Sequence, residues 1–155
     1  PVVRLPSLMA TVSLIMYVVY NKTILGKNMF AIGGNPQAAV VSGINVAVTL
    51  VIIYVIAGAL YGVGGILEAA RTGGATNNYG NMYELDAIAA SVVGGVSITG
   101  GIGTVPGIIA GVLIFTVINY GLTFVGMGPY WQLIIKGLII VVAVAFDVRK
   151  SMARK

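Results

Sequence analysis

The residues able to do chemistry in this sequence are few, and their spacing limits what they can do. The stretch 68–86, EAARTGGATNNYGNMYELD, holds Glu68, Glu84 and Asp86, three of the four acids in the chain. Glu84 and Asp86 stand two apart and do not share a helix face, which argues against a preformed pair for general acid–base work. Around them Asn77, Asn78, Asn81, Tyr79 and Tyr83 supply neutral hydrogen-bonding groups and rings. Such groups suit a network to sugar hydroxyls or the polar mouth of a pore; by composition alone, a solvated loop is the plainer reading. A second stretch, SVVGGVSITGGIGTVPG, carries Gly94, Gly95, Gly100, Gly101, Gly103 and Gly107. It fails as a phosphate loop, because no Gly-Lys-Ser/Thr follows and Pro106 breaks the dinucleotide spacing. Irregular backbone at membrane depth, buried in protein or lining a cavity, is the better account. The chain has no Cys and no His. That excludes disulfides, thiol nucleophiles and thiolate or imidazole metal sites, and neither a catalytic residue nor a metal site is expected.

The elements that must position these residues are apolar. Of 155 residues, 58% are hydrophobic and 8% charged, against about 25% charged in soluble domains. Thirteen charges cannot keep a compact soluble fold in solution. A soluble enzyme, a disordered tail and a nucleic-acid module are thereby excluded. The net charge of +5 sits in clusters between apolar runs and records membrane topology. Uncharged blocks at 47–67 and 104–125, of 21 and 22 residues, are clear spans, since a crossing needs about 20. Blocks 5–20 and 131–146 are shorter, the latter with Trp131 and Tyr130 at its start and Lys136 inside it. Lys136 can snorkel to the interface or face a partner helix. Block 87–103 is rich in Gly, Ser and Ala and reads as a broken or short helix. If it crosses, Lys22, Lys27 and the basic C-terminus fall on one face, as the positive-inside rule requires. The expected fold is an all-α polytopic bundle of about five crossings, with a Gly-rich broken segment and the C-terminus inside. The glycines at 58 and 62, and at 103, 107 and 111, are four apart and allow close helix approach. The chain opens at Pro1 without Met or a basic leader, so no signal peptide is expected and it reads as part of a longer chain.

The segment 21–45, NKTILGKNMFAIGGNPQAAVVSGIN, is expected to be a loop broken by Gly26, Gly33, Gly34, Pro36 and Gly43. Asn35-Pro36 is a helix-start signal and Gly43 a natural stop, so a short helix over 37–42 is expected between them. From periodicity alone, a helix on the membrane surface or against its own bundle is favoured over one docking on a soluble partner.

Three motifs now stand in order: GKNMFAIGGNPQAAVVSGIN, YELDAIAASVVGGVSITGGIGTVPG and NYGLTFVGMGPYWQLIIKGLIIVVAVAFD. Together they resemble bacterial ABC-transporter permeases of the ribose/galactoside class, over nearly the whole chain from about 21 to 147. The wording ILEAARTGGATNNYGNMYELDAIAA and FTVINYGLT is most like its galactose/methyl-galactoside branch. The resemblance implies that residues 1–155 form the C-terminal half of a permease domain. It implies a multi-pass protein of the bacterial inner membrane that translocates a sugar, with ribose or another monosaccharide as the alternative substrate. It also implies partners: a second permease subunit, cytoplasmic ATPase subunits and a periplasmic sugar-binding protein. ATP would be used by the ATPase subunits, with no cofactor on this chain. Gly33, Gly34, Asn35, Pro36, Ala38, Ala39, Ser42 and Gly43 match the family's ATPase-coupling region, which turns the reading of that loop toward a docking helix. Asn77, Asn78, Tyr83, Glu84, Asp86, Gly94 and Gly95 are assigned to the translocation path. An ion-coupled secondary transporter, from another class, normally places ionisable groups at mid-membrane, and the two clear spans have none.

Overall fold

The computed structural model describes residues 4–77 and 79–152. The regular structure among them is α-helical: α1 (Arg4–Lys22), α2 (Ile24–Gly34), α3 (Pro36–Val41), α4 (Val46–Thr72), α5 (Tyr83–Val93), α6 (Val105–Phe124) and α7 (Pro129–Met152). The chain folds as two compact units, Pro1–Tyr79 and Gly80–Lys155.

In the first unit, the axes of α1 and α2 are bent by 72° at Thr23. Thr23 is extended, and its Oγ1 donates to the Val19 carbonyl at 2.6 Å while accepting from the Gly26 amide at 3.2 Å. One hydroxyl thus closes the first helix and starts the second. Gly26 lies against the Tyr20 and Val19 carbonyls, where any side chain would collide. The rings of Tyr20 and Phe30 meet across the bend at 6.1 Å. The expected loop at 21–45 is therefore mostly helix. Gly26 serves a close approach inside α2 rather than breaking it, and Gly33 and Gly34 fall in its last turn. The short expected helix over 37–42 is present as α3, shifted by one residue.

The second unit is a trio, with α5 packed against α6 and α7. Its buried centre is Ala89, Ala90 and Phe115, with Ile140 against them. Small residues on α5 let α6 approach at backbone distance. A Cβ on Gly107 would meet the Gly94 carbonyl, and one on Gly111 would meet the Ala90 carbonyl and the Gly94 amide. The glycines expected to permit close approach do so at 107 and 111.

Among the described residues, three helices are long and apolar enough to cross a membrane: Val46–Thr72, Val105–Phe124 and Pro129–Arg149, with the bent pair 6–34 as a fourth if it counts as one span. Their apolar side chains are largely uncovered, Val51, Tyr54, Val55, Tyr61 and Ile66 on α4 among them. A helix apolar on all sides is a membrane helix or a core helix. Block 87–103 is broken as expected. Its helix, α5, has 11 residues and is about 16 Å long, against a hydrocarbon core of about 30 Å. The long helices also return their own hydroxyls to the backbone, Thr11 to Ser7 and Thr123 to Asn119, which satisfies those groups where water is absent.

The contact of α5 with α6 predicts opposite outcomes for one substitution at two places on α6. Gly111→Ala should destabilise by about 1–3 kcal/mol through overpacking. Gly121→Ala, with open space around its Cβ, should leave stability unchanged or raise it slightly. Thermal denaturation of the detergent-solubilised protein separates them; equal melting temperatures would contradict the packing.

Candidate functional site

Residues 33–43 form one connected device. Asn35 closes α2 by donating its amide to the Ala31 carbonyl at 3.0 Å. The same residue opens α3, its Oδ1 accepting from the Gln37 and Ala38 amides at 3.0 and 3.1 Å. Pro36 occupies the first turn, where its missing N–H costs nothing. Ala39 is the buried contact of α3. Ser42 Oγ donates back to the Ala38 carbonyl at 2.9 Å. Gly43, at φ 81°, turns left-handed so that its amide and that of Ile44 return to the Val40 and Ala39 carbonyls. This is the common glycine-terminated helix end. The opposite side of α3 is bare: Val40 is 59% and Val41 89% exposed. Around Gly34 there is open space. The eight residues from 33 to 43 expected to couple to an ATPase thus lie together, at the end of α2 and along and beside α3, whose apolar edge is uncovered.

The residues assigned to a path are brought together only in part. Asn77 is exposed and belongs to the first unit; Asn78 lies outside the described residues. Tyr83 and Glu84 open α5 and are exposed, with Met82 before them in the left-handed region at φ 66°. No side chain caps this end, and the acidic first turn offsets the helix dipole instead. Asp86 faces inward to α7. Lys136 Nζ lies 2.7 Å from its Oδ1 and donates to its Oδ2 at 3.0 Å. The same ammonium stands 6.0 Å from the centre of the Phe115 ring on α6. Of the two expectations for Lys136, the partner helix is the one met. Gly94 ends α5 against α6, and Gly95, at φ 85°, makes the turn that leaves it.

Sequence reasoning passed over a second carboxylate, Asp147 of α7. Asp147 Oδ2 accepts from Ser97 Oγ at 2.8 Å and from the Ile98 amide at 3.0 Å. Ser97 Oγ also shares a hydrogen bond with Thr99 Oγ1 at 2.8 Å. The segment closes on itself through the Ser97 amide, which donates to the Ile102 carbonyl. The glycine-rich stretch is therefore a braced turn, and its local signal in the sequence is the hydroxyls of Ser97 and Thr99 among glycines. Asn119 on α6 was also unmarked; its Oδ1 is buried without a hydrogen-bond partner among the described residues.

Residues 2–144 match the family model for the branched-chain amino acid transport system / permease component. The chain belongs to this permease family. It is 64% identical over 94% of its length to the galactose/methyl galactoside import permease of Haemophilus influenzae, covering 44% of that protein. It is 63% identical to the corresponding permease of Escherichia coli over 90% of its length, covering 42% of that protein. The ribose import permease of Bacillus subtilis is 44% identical over 88% of the chain, covering 42% of that protein. The chain thus spans less than half the length of the curated relatives it matches. No solved structure matches it. The expectation of a permease of the ribose/galactoside class is met, and with its apolar helices the chain is part of a multi-pass membrane protein.

The double role of Asn35 predicts a local lesion. Asn35→Ala should cost about 1 kcal/mol of helix stability. It should speed amide exchange over 36–41 while leaving exchange in α4 unchanged. Hydrogen–deuterium exchange of the solubilised protein reads both; unaltered exchange in α3 would contradict the cap.

Proposed function

We propose that this chain is the C-terminal half of the transmembrane permease of an ABC importer for galactose and methyl galactoside, set in the bacterial inner membrane with its C-terminus in the cytoplasm. The observation that carries the reading is the identity of 64% to the Haemophilus influenzae galactoside permease and 63% to that of Escherichia coli, against 44% to a ribose permease. The architecture is compatible with it, since the chain offers long apolar helices and a short helix with a bare edge. ATP hydrolysis belongs to separate cytoplasmic ATPase subunits in this reading. A periplasmic binding protein delivers the sugar, and a second permease subunit completes the path.

The build of 33–43 supports a coupling role. A short helix capped at both ends is a stiff lever, and Val40 and Val41 give it an apolar edge for a groove in the ATPase. Rigid-body movement of the docked ATPase is then transmitted through Asn35 to α2 and through Gly43 to α4. Glu84 and Tyr83, exposed at the start of α5, are the residues of 77–95 best placed to meet a passing sugar, and Glu84 offers two acceptor oxygens for sugar hydroxyls.

Gly34→Trp should abolish co-purification of the ATPase subunits and uptake while membrane insertion persists, because the space around Gly34 is open in this chain. Normal co-purification with normal uptake would sink the docking role. For the substrate, deletion of the gene in the source organism should remove uptake of labelled galactose and spare that of labelled ribose. Loss of ribose uptake instead would move the protein to the other branch of its class. Glu84→Ala should lower uptake without loss of the ATPase partner, and unchanged uptake would remove Glu84 from the path.

A further inference from the structure

Asp86 and Lys136 look like the polar residues of a sugar path, and the geometry gives them a different task. Each oxygen of Asp86 lies within 3.0 Å of the Lys136 ammonium, so the charge of this part-buried carboxylate is already matched from α7. Lys136 touches α5 through Asp86 and stands over the Phe115 ring of α6, so one cation on α7 contacts both other helices of the trio. Asp147 repeats the arrangement further along. Asp86 precedes Ser97 by eleven residues, and Lys136 precedes Asp147 by the same eleven. Eleven residues are close to three helical turns, about 16 Å, so Lys136 and Asp147 lie on one face of α7. The first bond holds the beginning of α5, and the second holds the turn behind its end. The order of the two pairs means that α5 and α7 run parallel, tied at two levels.

We propose that Asp86 and Asp147 are positioning residues for translocation, fastening α5 and its glycine-rich turn to α7 as one rigid body, and that Asp86 is a strut and not a sugar ligand. A strut and a ligand differ in one testable respect. A strut depends on charge complementarity with its partner, whichever residue carries which sign, whereas a ligand depends on a carboxylate at position 86. The proposal rests on the permease reading for its readout. The experiment therefore uses the intact permease assembled with its ATPase and binding protein, and uptake is expressed per inserted molecule.

Asp86→Lys and Lys136→Asp should each lower uptake roughly tenfold or more by leaving like charges face to face. The double exchange should recover most of that loss. Absence of rescue, or either single variant transporting normally, would overturn the strut. Where the charge reversals fail to insert, Asp86→Asn and Lys136→Gln serve instead. Their combination should be no worse than the poorer single variant, since both remove one interaction; losses that multiply would overturn the proposal. At the other end, Ser97→Ala and Asp147→Ala should be non-additive in the same sense, and Asp147→Asn, which keeps an acceptor oxygen, should transport better than Asp147→Ala. Failure of the underlying reading shows separately. If the unaltered assembly carries neither galactose nor ribose, the substrate assignment falls. The struts are then read from thermal denaturation of the solubilised assembly, where the charge exchange must restore the melting temperature lost by the single variants.

Discussion

The approach of α5 to α6 is the constraint on which the second unit depends. Helices in lipid gain little from hiding apolar surface from one another, and they associate through close packing instead. Here the packing is backbone on backbone, with the Gly94 carbonyl against Gly107 and the Ala90 carbonyl against Gly111. This brings a helix of 11 residues, too short to cross alone, into firm contact with one of 20. The depth of α5 is set by that contact, and the position of Asp86 opposite Lys136 follows from it. Side chains larger than hydrogen at these glycines would push α5 outward and lengthen both bonds to α7.

The two units handle irregular backbone differently. In the first, side-chain oxygens from within the same few residues do the work: Thr23 at the bend, Asn35 between α2 and α3, Asn45 at the start of α4 with its Oδ1 accepting from the Val48 amide. In the second, the irregular turn at 94–104 takes its support from Asp147 on a helix far along the chain. Local capping gives short helices that can tilt as pieces. Long-range bracing gives a body whose parts keep their spacing. Under the proposed function, a permease that couples a soluble motor to a membrane path has a use for both.

Much of this was legible in the residues. The long spans showed in uninterrupted apolar runs, α3 in Asn35-Pro36 and Gly43, and the close helix approach in the spacing of Gly107 and Gly111. What stayed hidden was whatever depended on distant partners. Gly26 looks like a breaker until the Tyr20 carbonyl is seen beside it. Lys136 left two readings open, because its partner is 50 residues away. Asp147, beside a basic C-terminus, resembles any solvated carboxylate, and only the fold places Ser97 against it. The acids at 84 and 86 were correctly separated by helix geometry, yet nothing nearby in the sequence says that one faces outward and the other faces α7.

Asn35 has a consequence for how such a chain can change over generations. It ends one helix with its main chain and begins another with its side chain. Any residue but proline would keep the main-chain bond to Ala31, so a substitution there is judged by the cap it offers to α3. Serine, threonine and aspartate could still open α3, so drift at this position is confined to a very small alphabet. Pro36 narrows it further by restricting the backbone of the residue before it. Inheritance at the joint is therefore that of a word rather than of separate letters, and variation has far more room along the lipid-facing helices than in these few residues between them.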